Sequence, residues 1–169
     1  MTAPRSAADP AQVIAAARSW LGTPYHDQAS LKGVGCDCLG LARGVWREVV
    51  GPEPFPIPPY SRDWAETGVR EVLAEGARAM MIETPPSEAP PGAMVLFRMI
   101  PRAIAKHVGI LTRPDRFLHA YERLGVIEEL LTPAWRRRIA FAFLFPVAGT
   151  AGQGSGMPSD QATSGPVRK

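Results

Sequence analysis

The chain has 169 residues, 46% of them apolar, and a formal net charge of +3 at pH 7. That length suits one compact domain of ordinary size, and so small a basic excess does not require nucleic acid as a partner. Because the apolar runs are shorter than the roughly 18 residues that cross a bilayer, and the first residues lack the apolar core of a Sec signal, we expect a protein without a membrane span that is made in the cytoplasm.

The first predicted helix begins at Asp9, which precedes Pro10 and has Gln12 three residues further on. A capping side chain, a proline in the first turn and a polar partner at this spacing are typical of a helix start. Apolar residues then recur every three or four positions until Gly22, where the helix should end. Residues 1–8 are expected to form a flexible N-terminus.

Two further helices are predicted in the first half of the chain. One begins at the cysteines with Asp37 as its structural cap and ends at the run GPEPFPIPPY, since proline excludes helix continuation. A shorter one is expected between about Ser61 and Ala77. Its inward-facing apolar side chains are predicted to be Trp64, Val69, Val72 and Leu73.

After Gly92 the pattern changes to short runs rich in strand-forming residues and separated by turn residues. These runs are AMVLF, KHVGIL, RFLHAY, VIEELL and IAFAFLFP. Helices followed by an antiparallel meander predict an α+β fold, with the N-terminal helices packed on an antiparallel sheet of about five strands. The domain is expected to span residues 9–146, and residues 147–169 to form a tail that is disordered or ordered by a partner.

Both cysteines lie in the stretch GVGCDCLGLARGVW, with one residue between them. A disulfide between Cys36 and Cys38 would close a very tight ring. The cysteines and the three histidines of the chain also fit the spacing of zinc ligands poorly. Those histidines are His26, His107 and His119. The spacing disfavours both arrangements without excluding either, and we predict no metal and no cofactor.

A single nucleophile is the third option for this stretch. Cys38 would be the first residue of its helix, where the helix dipole favours the reactive thiolate. Gly35 and Gly40 would let a substrate backbone approach the sulfur, and Cys36 would be a small buried hydrophobe.

Two histidines lie in predicted neighbouring strands. His107 begins HVGIL, His119 lies in FLHAY, and TRPD between them is a natural hairpin turn. Antiparallel pairing would place both imidazoles on one face of the sheet, as a base and the group that orients it. Two unrelated histidines at a sheet surface are the alternative interpretation.

Five stretches, WLGTPY, DCLGLARGVW, PGAMVLF, KHVGIL and FLHAY, follow one another in the order found in NlpC/P60 cysteine peptidases. The chain resembles this papain-like group, which cuts bacterial cell-wall peptides, from about Val13 to Pro146. It is most similar to the phage-tail branch, including the peptidases of gene transfer agents. Two positions depart from the commoner family pattern, since Leu39 stands in place of serine and Ala93 in place of aspartate.

The resemblance implies roles for particular residues. Cys38 would be the nucleophile, His107 its base and His119 the residue that orients the base. Tyr25 would place its hydroxyl near the oxyanion site, and Asp37 keeps its structural capping role.

The resemblance also implies a substrate and a setting. The substrate would be the stem peptides of peptidoglycan, cut after γ-D-glutamate, and the partners would be other tail or baseplate subunits of a phage-like particle that acts in the envelope of a target cell. Two alternatives stay open. One is a structural tail-tip plug or docking subunit with little or no catalysis, and the other is an acyltransferase on the same fold.

Overall fold

The part of the chain that the computed structural model describes, residues 5–60 and 69–149, folds into helices followed mostly by strands. The helices are α1 (Pro10–Arg18), α2 (Cys38–Val49), α3 (Val72–Met80) and the single turn α4 (Pro133–Arg136). The strands are β1 (Ser30–Leu31), β2 (Gly35–Cys36), β3 (Ile82–Thr84), β4 (Met94–Phe97), β5 (His107–Arg113), β6 (Arg116–Tyr121), β7 (Gly125–Leu130) and β8 (Ile139–Leu144). The predicted α+β class is confirmed. None of the described helices is long and apolar enough to cross a membrane.

Acidic caps set the starts of α1 and α2, as predicted. The Asp9 side chain accepts a hydrogen bond from the backbone N–H of Ala11 at 2.9 Å, and Pro10 occupies the first turn. The Asp37 side chain accepts one from the N–H of Gly40 at 2.7 Å. Each cap satisfies an N–H group that the first turn of a helix leaves without an intrahelical partner.

Six antiparallel strands form the main sheet, in the order β3-β8-β4-β5-β6-β7. The predicted meander supplies β4 to β8, and the predicted number of about five is therefore close. The sixth strand, β3, is a three-residue segment at the end of this order that pairs with β8. It is too short for its sequence to show a strand period. β1 and β2 form a separate small hairpin just ahead of α2.

The helices α1 and α2 pack on one face of the sheet. The main apolar core lies between these layers and includes Trp20, Leu41, Val45, Ile110, Leu118 and Phe143. Gly44 of α2 is required by this packing, because a β-carbon there would lie 1.9 Å from the Trp20 ring. A smaller cluster covers the opposite face and includes Val95, Phe97, Phe117 and Trp135.

The prediction for the third helix is wrong over residues 69–71 and in part of its buried face, and residues 61–68 lie outside the described residues. α3 begins at Val72, and Val69 is 98% exposed ahead of it. Val72 is itself exposed, whereas Ala74 and Ala77 are buried. Small alanines form the inward face, and they carry a weaker hydrophobic signal than the valines. Trp64, also predicted to face inward, lies outside the described residues, and Leu73 packs partly buried against the core.

The segment just ahead of α1, expected to be flexible, is hydrogen-bonded to the far end of the domain. Ala8 donates its N–H to the carbonyl of Phe145 at 2.8 Å, and Val147 donates its N–H to Ser6 at 2.8 Å. The Arg5 guanidinium donates to the backbone carbonyl of Ala79 at 2.8 Å, near the end of α3. The first two bonds join the segment ahead of α1 to the segment after β8, and the third joins it to the last turn of α3. Residues 1–4 and most of the predicted tail, 150–169, lie outside the described residues.

Candidate active site

Cys38 stands at the first position of α2, directly after the buried Asp37. One oxygen of the Asp37 carboxylate accepts the Gly40 N–H. The other accepts the backbone N–H of Gln28 at 2.8 Å and the Tyr60 hydroxyl at 2.5 Å. Asp37 is therefore more than a helix cap, because it also ties the loop before β1 and the proline-rich segment after α2 to the start of the helix.

The glycines around Cys38 make room for the chain itself. A β-carbon on Gly40 would lie 1.8 Å from the carbonyl oxygen of Ala29, and one on Gly35 would lie 2.9 Å from the β-carbon of His26. The expectation that these glycines leave room for a substrate backbone is wrong. Their small size lets the loop and the hairpin pack against the start of α2.

The two cysteines have different surroundings. Cys36 is fully buried in the main core, and its N–H donates to the carbonyl of Pro24 at 3.0 Å. Both thiols are free. Within residues 5–60 and 69–149, no group of three or more His, Cys, Asp and Glu side chains is arranged to hold a metal ion. His26 lies exposed on the loop before β1, apart from the other two histidines.

The other two histidines meet on neighbouring strands, as the sequence predicted. Nε2 of His107 on β5 lies 2.7 Å from Nδ1 of His119 on β6, with the rings nearly perpendicular at 79°. His119 is fully buried, and the rings of Phe117 and Trp135 pack against it. The bond to His119 occupies Nε2 of His107 and leaves its Nδ1 as the nitrogen for a thiol.

The strands β5 and β6 are not paired along the part of β5 that lies next to Cys38. The ladder between β5 and β6 ends at the pair Ile110–Leu118, before it reaches the histidines. Beyond that pair the backbone N–H of Val108 acts to lower the pKa of the Cys38 thiol. The sulfur also lies 4.0 Å from the carbonyl oxygen of Lys106. Cys38, at the start of α2, thus lies next to the start of β5, where His107 is located.

Cys38 and His107 line the same cavity, which has a volume of about 320 Å³. Other residues around it are Tyr25, Asp27, Gln28, Tyr60, Lys106 and Glu122. A second cavity of about 420 Å³ adjoins it and shares Tyr25, Cys38 and His107. The site can therefore admit a chain that passes across the sulfur from one cavity to the other.

Tyr25 is held beside the sulfur by backbone pairing, because it forms a parallel bridge with Cys36. Its hydroxyl donates to Asp27 at 3.2 Å. Burial, together with the negative charges of a Cys38 thiolate and of Asp27, raises the pKa of Tyr25 well above its usual range. The hydroxyl therefore stays protonated, and it could donate to a developing negative charge only by turning its one proton away from Asp27.

Burial favours the neutral forms of the thiol and of both imidazoles. It raises the pKa of the Cys38 thiol to about 12, with a further contribution from the Asp37 charge, and this outweighs the opposing N–H groups of Val108 and Leu39. Burial also lowers the pKa of His107 to about 4 and that of His119 to about 3, the latter with help from His107. Burial and the Asp37 charge thus oppose the resting thiolate that the helix start was expected to favour, and that thiolate stays a prediction.

Three contributors to the site were missed in the sequence. In the sequence Tyr60 ends a proline-rich run, Glu129 lies within a predicted strand, and Trp135 belongs to none of the predicted elements. Glu129 places a carboxylate oxygen 2.8 Å from Nε2 of His119. The signal for Glu129 was strand alternation, since β6 and β7 pair Phe117 with Glu129 and thereby put its side chain on the histidine face.

The NlpC/P60 family model matches residues 22–142 of the chain, a span that contains every predicted site residue. No curated protein sequence matches the chain.

Several solved structures share the fold. An NlpC/P60 family protein from Bacillus cereus is 18% identical, with a TM-score of 0.55 over 81% of this chain and 40% of its own. The NlpC/p60 domain of the peptidoglycan hydrolase SagA is 22% identical, with a TM-score of 0.52 over 80% and 97%. A lipoprotein-like NLP/P60 family protein from Staphylococcus aureus is 20% identical, with a TM-score of 0.55 over 86% and 45%. The chain thus spans less than half of the Bacillus cereus and Staphylococcus aureus proteins and nearly all of the SagA domain.

Proposed function

Since the chain belongs to the NlpC/P60 family, we propose that it is a cysteine peptidase that hydrolyses peptide bonds of bacterial peptidoglycan. The observation that carries this proposal is a thiol at a helix start that shares a cavity with an imidazole, which is in turn held by a second, buried imidazole. Family members are cysteine peptidases that act on peptidoglycan, and one structural relative is a peptidoglycan hydrolase.

The first step is attack by Cys38 on a peptide carbonyl. Nδ1 of His107 takes the thiol proton as the sulfur bonds to the carbonyl carbon, which creates an ion pair at the moment of reaction. The neutral resting pair fits this order, because burial raises the pKa of Cys38 and lowers that of His107. Substrate binding has to supply part of the energy for this charge separation.

The negative charge that develops on the carbonyl oxygen needs donors in place beforehand. The backbone N–H groups at the start of α2 and the protonated Tyr25 hydroxyl supply them. His107 then gives its proton to the leaving amine, and the carbon–nitrogen bond breaks. In the second half of the reaction His107 takes a proton from water, which attacks the thioester and releases the acid and the thiol.

The finer proposals concern the bond and the setting. We propose cleavage after γ-D-glutamate in the stem peptide and assembly into the tail of a phage-like or gene transfer agent particle that carries the protein from the cytoplasm where it is made to the envelope of a target cell. The support is the motif DCLGLARGVW, which resembles the phage-tail branch of the family.

A tail subunit with little or no catalysis is the second candidate. The resting protonation of Cys38 favours it, because a protonated thiol is a poor nucleophile. The discriminating experiment is the release of new amines from purified cell-wall sacculi by the wild type, Cys38→Ala and Cys36→Ala. The peptidase predicts release by the wild type and Cys36→Ala and none by Cys38→Ala. Equal release by all three, or release by none, would exclude Cys38 as the nucleophile.

A further inference from the structure

A carboxylate beyond the histidine pair has no part in the reaction steps above. Oε1 of Glu129 lies 2.8 Å from Nε2 of His119, which is a buried nitrogen without a hydrogen-bond partner of good alignment among the described residues. The Glu129 side chain is 37% exposed. It therefore has room to turn and align with the ring N–H, whereas the buried imidazole is held by its neighbours.

The register between β6 and β7 places the Glu129 side chain beside His119. β6 and β7 pair Phe117 with Glu129 and His119 with Ile127, so Glu129 and His119 are diagonal neighbours on one face. The rings of Phe117, Tyr121 and Trp135 surround the imidazole at centroid distances of 4.6, 5.3 and 5.4 Å. An apolar surrounding of this kind strengthens an electrostatic contact and makes an unpaired N–H group costly.

We propose that Glu129 is a positioning residue: its carboxylate accepts the Nε2 proton of His119 and thereby fixes the tautomers of both histidines. The proposal rests on the proposed function, because it takes His107 as the base for Cys38. With the His119 proton on Nε2, its Nδ1 carries a lone pair. The 2.7 Å contact then requires His107 to donate from its own Nε2.

These tautomers decide whether His107 can accept the proton of the Cys38 thiol. A His107 ring protonated on Nε2 presents the lone pair of Nδ1 to the thiol, which is the form that a general base needs. Without Glu129, His119 can carry its proton on Nδ1 instead. His107 would then have to accept at Nε2 and carry its proton on Nδ1, where it can no longer take a proton from Cys38.

The test compares Glu129→Ala, which removes the acceptor, with Glu129→Gln, which keeps a neutral acceptor oxygen. Glu128→Gln is the matched control. Glu128 directly precedes Glu129 on β7, but its carboxylate accepts hydrogen bonds from Arg18 and Thr112 rather than from a histidine. The measurements are ¹⁵N chemical shifts of the imidazoles, the rate of Cys38 alkylation by iodoacetamide at pH 7.5 and, separately, kcat and KM on muropeptides.

We expect His119 to be protonated on Nε2 in the wild type and in Glu128→Gln, and to lose this preference in Glu129→Ala. Alkylation of Cys38 and kcat should both fall about tenfold in Glu129→Ala, the lower end of the loss found when the outer partner of a metal-binding histidine is removed, while KM stays within about twofold of the wild type. Glu129→Gln should lie between, and it serves as the test if Glu129→Ala does not fold.

A tautomer of His119 that does not change in Glu129→Ala, or an alkylation rate within about twofold of the wild type, would overturn the positioning role. The imidazole shifts and the alkylation rate require no cell-wall substrate. A wild-type protein without peptidase activity would therefore contradict the proposed function and leave these two readouts to decide on Glu129.

Discussion

Replacing Asp37 by alanine should destabilise the domain by about 3–4 kcal/mol, which is more than the loss of a helix cap. The carboxylate accepts three hydrogen bonds, from Gly40, Gln28 and Tyr60, while only 4% exposed. Loss of the cap alone costs about 1 kcal/mol. Each further bond to a buried charge contributes roughly 1.5–3 kcal/mol before the freed donors find other partners or water. Partial recovery of those donors brings the sum to the stated range.

The matched control for this variant is Asp9→Ala. Asp9 caps α1 through one exposed hydrogen bond of 2.9 Å, so its loss should cost about 1 kcal/mol. Urea unfolding followed by circular dichroism gives both free energies under the same conditions. A loss for Asp37→Ala no larger than that for Asp9→Ala would refute the account of Asp37 as the link between three segments.

Asp37→Asn separates the charge of this residue from its bonds. The Asp37 carboxylate contributes to the raised pKa of Cys38. The neutral amide of asparagine should therefore lower the pKa of Cys38 and speed its alkylation at pH 7.5, although the domain is less stable. Slower alkylation in a folded Asp37→Asn protein would contradict this assignment.

Three further results are expected. Gly44→Ala should lower the free energy of unfolding by about 1–3 kcal/mol, because its methyl group meets the Trp20 ring; an unchanged urea midpoint would contradict this packing. Since the folded pKa values of His107 and His119 lie near 4 and 3 and those of the unfolded chain near 6.5, the unfolded state binds more protons below about pH 6.5, so stability should fall as the pH drops toward 4. His119→Phe should show a smaller fall, and an equal fall in both proteins would place the effect elsewhere. The alkylation rate of Cys38 should keep rising with pH beyond about 9, where an ordinary thiol levels off, because its pKa is about 12; a plateau below pH 7 would instead indicate a resting thiolate.

The sequence was sufficient for features that depend on neighbours along the chain. The caps Asp9 and Asp37 lie next to the helices they begin, and strand alternation with a short turn places His107 and His119 together. These features follow from local geometry, which has a fixed period in helices and strands. The position of Cys38, the candidate nucleophile, was predicted in the same way, as a cysteine just behind a cap.

Features that depend on contacts distant in sequence could not be predicted. The pKa of Cys38 is set by burial under segments from elsewhere in the chain, which the helix-dipole argument did not include. The bond from Tyr60 to Asp37 joins residues 23 positions apart across a proline-rich segment without a repeating pattern. Glu129 meets His119 through the register between β6 and β7, and a shift of one residue would have turned its side chain to the other face.

The most direct test of the central claim is mass spectrometry of muropeptides after digestion by the wild type, Cys36→Ala and Cys38→Ala. The account predicts the same new fragments from the wild type and Cys36→Ala, with chain ends at γ-D-glutamate, and none from Cys38→Ala. Fragments that persist with Cys38→Ala, or that disappear with a folded Cys36→Ala protein, would contradict the assignment of Cys38 as the nucleophile.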